Sequence, residues 1–155
     1  MKQFSVLILS LFWVEHKKSE LPITNAKVIE FVEANIGKKV DRGECWDLAN
    51  KALQHAGAKW TFPTTFGKPL NYLKEPMLPG DIVQFEQAKF EHKTDSEIIR
   101  WSKLVHTAII YKVKDKTLVQ IAEQNNNGVK LVQINNIDFK WLVSGKIYVY
   151  RPQLP

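Results

Sequence analysis

Asp41-Arg42-Gly43-Glu44-Cys45-Trp46-Asp47-Leu48-Ala49-Asn50-Lys51-Ala52-Leu53-Gln54-His55-Ala56-Gly57 carries the pattern on which the fold turns. Cys45, Leu48, Ala49, Ala52, Leu53 and Ala56 recur at i, i+3, i+4, i+7, i+8 and i+11, which is one face of a helix. Gly57 is the expected stop, because glycine tolerates the left-handed conformation found there. The spacing predicts a helix over 45–56 that begins at the chain's one cysteine. Amides at a helix start point outward and carry partial positive charge. They stabilise a thiolate, and they can stabilise the oxyanion formed when a carbonyl is attacked. A cysteine alone is more often a small buried hydrophobe than a nucleophile, so its partners decide its role.

Upstream, Val28, Ile29, Phe31, Val32 and Ile36 form a second helical stripe. A helix over 25–36 follows, with Thr24 or Asn25 as its cap and Gly37 as its end. Downstream the period changes. The stretch 60–79 holds Pro63, Gly67, Pro69, Pro76 and Pro79 and reads as a loop. Leu78-Pro79-Gly80-Asp81 is a turn signal, and Ile82, Val83 and Phe85 open a strand. The stretch 90–101 is charged and is expected to be exposed. Strands are expected over 104–113, 117–123, 129–134 and 147–150, with Asn125-Asn126-Asn127-Gly128 as a tight turn. Helices first, then about five mostly antiparallel strands, define an α+β fold with the helices packed on the sheet.

Within that frame the chemistry gathers at three positions. His106 lies in Leu104-Val105-His106-Thr107-Ala108-Ile109-Ile110, where a strand would hold its imidazole rigidly. An imidazole used as a base needs an acceptor on its other nitrogen to fix the tautomer. A hairpin turn centred near Lys114-Asp115 would set position 106 opposite position 123, and so bring Glu123 to His106. Each of these residues has an ordinary structural role open to it; the order Cys, His, Glu with a consistent register favours joint catalytic use.

Other chemistries find less support. His16, His55 and His92 have no partner at metal-ligand spacing, and a single cysteine excludes a zinc ribbon or an internal disulfide. No Walker loop, GxSxG or GxGxxG is present. The net charge of +6 is scattered, with no run of five or six like charges, and reads as a lysine-rich solvated surface. Nucleic acid is therefore not an expected partner, and neither metal nor cofactor is expected. Of the five tryptophans, Trp46 beside the nucleophile is the candidate for contact with substrate.

Residues 1–22 read as a signal-like or linker segment, and 23–155 as the domain. Lys2 precedes an apolar run over 4–14 that resembles the core of a secretory signal, without small residues at a cleavage site. The run is too short for an ordinary membrane span. An export signal would put the protein outside the cell or at its envelope; otherwise a cytoplasmic location is expected.

Gly43-Glu44-Cys45-Trp46, Leu78 through Phe85, His106-Thr107-Ala108-Ile109-Ile110 and Glu123-Gln124-Asn125 together resemble the CHAP family (cysteine- and histidine-dependent amidohydrolases and peptidases) and its NlpC-type, papain-like relatives. The resemblance covers roughly 23–152. It implies hydrolysis of an amide bond, in a peptide or a cell-wall peptide, with no cofactor. It also implies that Cys45 attacks, His106 shuttles the proton, Glu123 orients His106 and Asn125 supports the site. A second resemblance rests on Asp47, the proline-rich loop, the stretch 79–86 and the ending Gly145-Lys146-Ile147-Tyr148-Val149-Tyr150-Arg151-Pro152. These look like the cysteine-proteinase-fold domain that ends certain fungal SH3 scaffold proteins of actin patches. That likeness implies a protein partner and keeps open a non-catalytic peptide- or protein-binding module on the same fold.

Overall fold

The computed structural model describes residues 21–61 and 65–155. The apolar run over 4–14 and its signal-like reading lie outside the described residues. Among the described residues two helices, α1 (Ile23–Asn35) and α2 (Cys45–His55), precede six strands. These are β1 (Lys68–Leu70), β2 (Ile82–Lys93), β3 (Ile98–Val113), β4 (Leu118–Glu123), β5 (Gln133–Asp138) and β6 (Leu142–Arg151). They form one antiparallel sheet in the order β1-β6-β2-β3-β4-β5. Among the described residues, no helix is long and apolar enough to cross a membrane.

The helices pack on one face of the sheet. Val28, Val32, Leu48, Ala49, Ala52 and Leu53 meet Ile82, Ile109 and Ala122 there. The other face gathers Val83, Phe85, Ile110, Val119, Ile121, Ile137 and Val149, with Leu70, Met77 and Phe139. Successive strand residues point to opposite faces, so Ile109 and Ile110 are both fully buried yet serve different cores. That is why the middle of β3 reads as an unbroken apolar run.

Several expectations are corrected. The sheet has six strands, because three residues of the proline-rich loop, Lys68–Leu70, pair with β6. The charged stretch 90–101 is the end of a long hairpin: β2 and β3 stay paired out to Lys93↔Ile98. It is exposed over 93–100 as expected, and its alternating Lys, Glu and Arg mask the strand period. The fifth strand is Gln133–Asp138 rather than 129–134, since Val129 closes the asparagine turn by bridging Asn126. That turn is tight as expected, with positive φ at Asn125, Asn127 and Gly128. Thr24 and Asn25 lie inside α1, which is preceded by Pro22. Their side chains tie the helix to the sheet, Thr24 Oγ1 donating to the Pro152 carbonyl at 3.0 Å and Asn25 Nδ2 to Asp81 at 2.9 Å. Gly80, at φ +88°, is required here: a Cβ would sit 2.5 Å from the Asn25 carbonyl oxygen.

Candidate active site

Cys45 is the first residue of α2, and the loop before it is organised around Asp47. The buried Asp47 carboxylate accepts from the backbone amides of Arg42 and Glu44, both at 3.1 Å, and from the Arg42 guanidinium at 2.6 Å. Amides that a helix start leaves without intrahelical partners are satisfied by side chains in this way. Gly43 has φ +87° and lies so close to the Lys130 side chain that a Cβ would approach it to 2.9 Å. The chain before the nucleophile is thus held in a shape that few other sequences could adopt.

A second clamp comes from across the sheet. Gln124 is fully buried and spends its whole amide on the same loop. Its Oε1 accepts from the Val40 amide at 2.8 Å, and its Nε2 donates to the carbonyls of Val40 and Glu44 at 3.0 and 2.9 Å. The end of β4 and the start of α2 are thereby fastened together.

His106 and Glu123 meet through a bulge. Near the hairpin tip Lys112 opposes Gln120 and Val113 opposes Val119; further in, Ile110 opposes Ile121 and Ile109 opposes Ala122. Tyr111 is the extra residue. Were the outer register carried inward, Glu123 would oppose Ile109 and share its face, away from His106. The bulge moves the pairing by one, so Glu123 falls opposite Ala108 and on the face that His106 shares with Ala108. The expected register, 106 against 123, is therefore off by two. A shift of two keeps the face, and diagonal neighbours remain within reach of long side chains. His106 Nε2 lies 2.7 Å from Glu123 Oε2.

The thiol closes the chain of contacts. The β3–β4 ladder stops at Ile109↔Ala122, so the start of α2 reaches β3 beyond the end of β4. There His106 and the amides of Thr107 and Trp46 act on Cys45, each favouring the thiolate. Thr107 is held from its other side, its hydroxyl donating to Gln84 Oε1 at 2.6 Å. Burial pushes the Cys45 thiol up, but the His106 hydrogen bond, the Thr107 amide and the imidazole charge outweigh it, and the thiol titrates below its ordinary value. Burial pulls His106 down, yet its bonds to Cys45 and Glu123 win and raise it above 6.5. Burial likewise opposes the charge on Glu123, but His106 and Lys103 hold its carboxyl at about 2. These shifts run in the direction of a Cys45 thiolate and a His106 imidazolium beside the Glu123 carboxylate.

Other site residues fall differently. Asn125 donates to Glu44 Oε2 at 2.6 Å, so it supports the nucleophile's loop rather than the imidazole. Trp46 packs its ring against Trp60 and Phe66, with centroids 5.2 and 5.3 Å apart. Lys103, Gln124, Gln84 and Asn135 were not marked by sequence reasoning. Gln124 sits between two residues that were, but nothing in its type or spacing tells a buried clamp from an exposed strand end. Among the described residues, no group of three or more His, Cys, Asp or Glu side chains could hold a metal ion.

A cysteine at a helix start, with a strand histidine and a buried carboxylate beside it, on two helices packed against an antiparallel sheet, defines a domain of the cysteine-proteinase fold. Residues 24–154 match the family described as the AIM3/BBC1 cysteine proteinase-fold domain, and the chain belongs to that family. It is 30% identical over 143 residues to Altered inheritance of mitochondria protein 3 from Debaryomyces hansenii. That match covers 81% of this chain and 15% of the relative, which is far longer. Among solved structures, Ly7917 superposes with a TM-score of 0.50 at 20% identity, over 83% of this chain and 62% of that one. Ly7917 with the hydrolyzing product of MDP superposes equally well. This likeness is one of fold.

Proposed function

We propose that the domain is a thiol-dependent amidase or peptidase. The observation that carries the reading is the 2.7 Å bond from His106 to the buried Glu123, with Cys45 at the start of α2 where the imidazole favours its thiolate. The Cys45 thiolate attacks the carbonyl carbon of an amide. The carbonyl electron pair moves to oxygen and returns as the C–N bond breaks. His106 gives its proton to the departing amine, leaving a thioester on Cys45. His106 then takes a proton from water as the water attacks the thioester carbon; the C–S bond breaks, the acid departs, and the thiolate is restored beside the imidazolium. Glu123 keeps the imidazole in one tautomer and balances its charge. Amides at the start of α2 favour both thiolate and oxyanion. Asn125 acts through Glu44 on the nucleophile's loop. A peptide is the proposed substrate class, cell-wall peptides included.

The test is the pH dependence of Cys45 alkylation by iodoacetamide. The native profile is expected to lie well below the free-thiol value of about 8.5, and to move up toward it in His106→Ala. Hydrolysis of a peptide-amide panel, abolished in Cys45→Ala, would complete the case. A slow thiol indifferent to His106 would sink it.

One observation favours a second reading, a peptide-binding module. β3 runs to Ile98 while β4 covers it only from Ile109 onward, so among the described residues one backbone edge of 98–105 has no strand beside it. Leu104 and Val105 on that stretch are 58% and 72% exposed. An open edge accepts an added strand. In this reading a peptide binds and is not cut, and the slow-thiol outcome is its signature.

A further inference from the structure

One buried cation stands outside the Cys45–His106–Glu123 series. The Lys103 side chain is 10% exposed and the Glu123 side chain 1%. Lys103 Nζ donates to Glu123 Oε2 at 2.7 Å, the same oxygen that His106 Nε2 meets at 2.7 Å. It also donates to Asn126 Oδ1 at 3.2 Å and stands 5.8 Å from the centroid of the Phe85 ring. The other carboxylate oxygen, Oε1, accepts from Asn135 Nδ2 at 2.9 Å. A lysine normally keeps its ammonium in water, and a buried ion pair contributes little net stability. Its placement on the histidine's own oxygen calls for a different account.

We propose that Lys103 is a positioning residue of this site, which pins Glu123 against His106 and divides the carboxylate's charge, so limiting how strongly Glu123 favours the imidazolium. The proposal rests on the triad reading above. The groups facing His106 can be named element by element. α2 presents Cys45; β3 presents Lys103 beside the histidine itself; β4 presents Glu123. β2 presents the ring of Phe85 to His106, while Asn135 of β5 and Asn126 of the turn, both neutral, meet Glu123 and Lys103. Beyond the start of α2, Glu44 is engaged by Lys130 and Asn125. With the thiolate and imidazolium formed, Lys103, Glu123, His106 and Cys45 read plus, minus, plus, minus, and sum to zero. Without the ammonium the series carries a net negative charge, and the imidazolium faces an undivided carboxylate. It should then hold its proton to higher pH. The Lys103 charge opposes that of His106 in this direction.

The test follows the His106 ring by proton NMR in the full chain, its resonance assigned by its loss in His106→Ala, together with the alkylation profile of Cys45. Lys103→Gln keeps a donor for Glu123 and removes the charge; Lys103→Arg keeps both. Lys103→Gln is expected to raise the proton affinity of His106 by about tenfold and to carry the upper limb of the alkylation profile with it. Lys103→Arg is expected to stay with the native protein. The proposal is overturned if folded Lys103→Gln titrates like the native protein, or if both variants shift equally, which would make Lys103 a packing residue. If Lys103→Gln does not fold, a native-like titration in Lys103→Arg supports the proposal and a shifted one overturns it. Failure of the triad reading would show separately, as a native thiol indifferent to His106→Ala while the histidine titration still reports on Lys103.

Discussion

The loop that launches α2 and the strand pair that carries His106 and Glu123 meet at one site, but they are built over different spans of chain. Asp47 orders Arg42 and Glu44, five and three residues away. His106 and Glu123 are 17 residues apart and depend on a hairpin register, and Gln124 reaches back 84 residues to Val40. The first is local geometry that a short peptide already encodes. The second exists only once the sheet is assembled with its bulge at Tyr111. The nucleophile is prepared locally, and its base is delivered by tertiary structure. Gln124 is the joint between them, which makes it the place to break the pairing.

Gln124→Leu should have the largest effect. It would strand the buried Val40 amide and take one of two donors from the carbonyls of Val40 and Glu44, which keep the amides of Gly43 and Asp47. A stranded buried amide costs about 1–3 kcal/mol and each lost bond about 0.5–1.5 kcal/mol, so a loss on the order of 3–4 kcal/mol is expected from denaturant midpoints. Enough ligand-free native protein should persist at low denaturant to show a second result: Cys45 alkylation at pH 6 falling toward that of His106→Ala. A variant as stable as the native protein, with an unchanged thiol profile, would mean that α2 and β4 hold together without this clamp.

Acid tests the delivered half alone. Glu123 titrates at about 2 in the fold against an ordinary 4.5, so its contribution is whole above 4.5 and is lost as pH falls toward 2. His106 works in the opposite sense: its raised value contributes fully below 6.5 and fades as pH climbs through the folded value. Both are in force between about 4.5 and 6.5, where the site should be most stable. The native protein should lose up to about 3 kcal/mol between pH 4.5 and 2 on this account. Glu123→Gln, less stable at pH 6, should show a flatter slope. Parallel slopes would place the acid sensitivity elsewhere, with the carboxylates of Asp47 and Asp138 as the next groups to examine.

The same division explains what the sequence made legible. The stripe from Cys45 to Ala56 with Gly57 behind it gave α2 to within a residue, because helix signals are local. The asparagine turn was readable for the same reason. The pairing of His106 with Glu123 was anticipated from a register that proved two residues off, and it survived because a two-residue error preserves the face. An error of one would have separated them, and nothing about Tyr111 in the sequence announces a bulge. The hairpin beyond Phe90 was missed because a ribbon with few core contacts carries charges at positions a half-buried strand would fill with apolar residues. Lys103 was hidden for a related reason: a lysine in a charged ribbon gives no sign that it points inward.

The smallest effect sharpens the comparison most, because it asks to which half Asn125 belongs. Asn125 has φ +57°, which favours asparagine or glycine, and its amide bonds to Glu44 on the nucleophile's loop. Asn125→Gly keeps the backbone free to adopt that conformation and deletes only the side-chain bond. A charge-assisted bond to a half-exposed carboxylate is screened by solvent and contributes little, and only a small loss in thermal or denaturant unfolding is expected. If Asn125 serves the helix start, the lower limb of the alkylation profile should move up slightly, since the loop presenting the thiolate loosens. The upper limb, set by His106 with Glu123 and Lys103, should stay in place. If instead the His106 titration moves and the lower limb does not, Asn125 acts on the delivered base, and the boundary between the two halves lies one residue earlier in the chain, at Gln124.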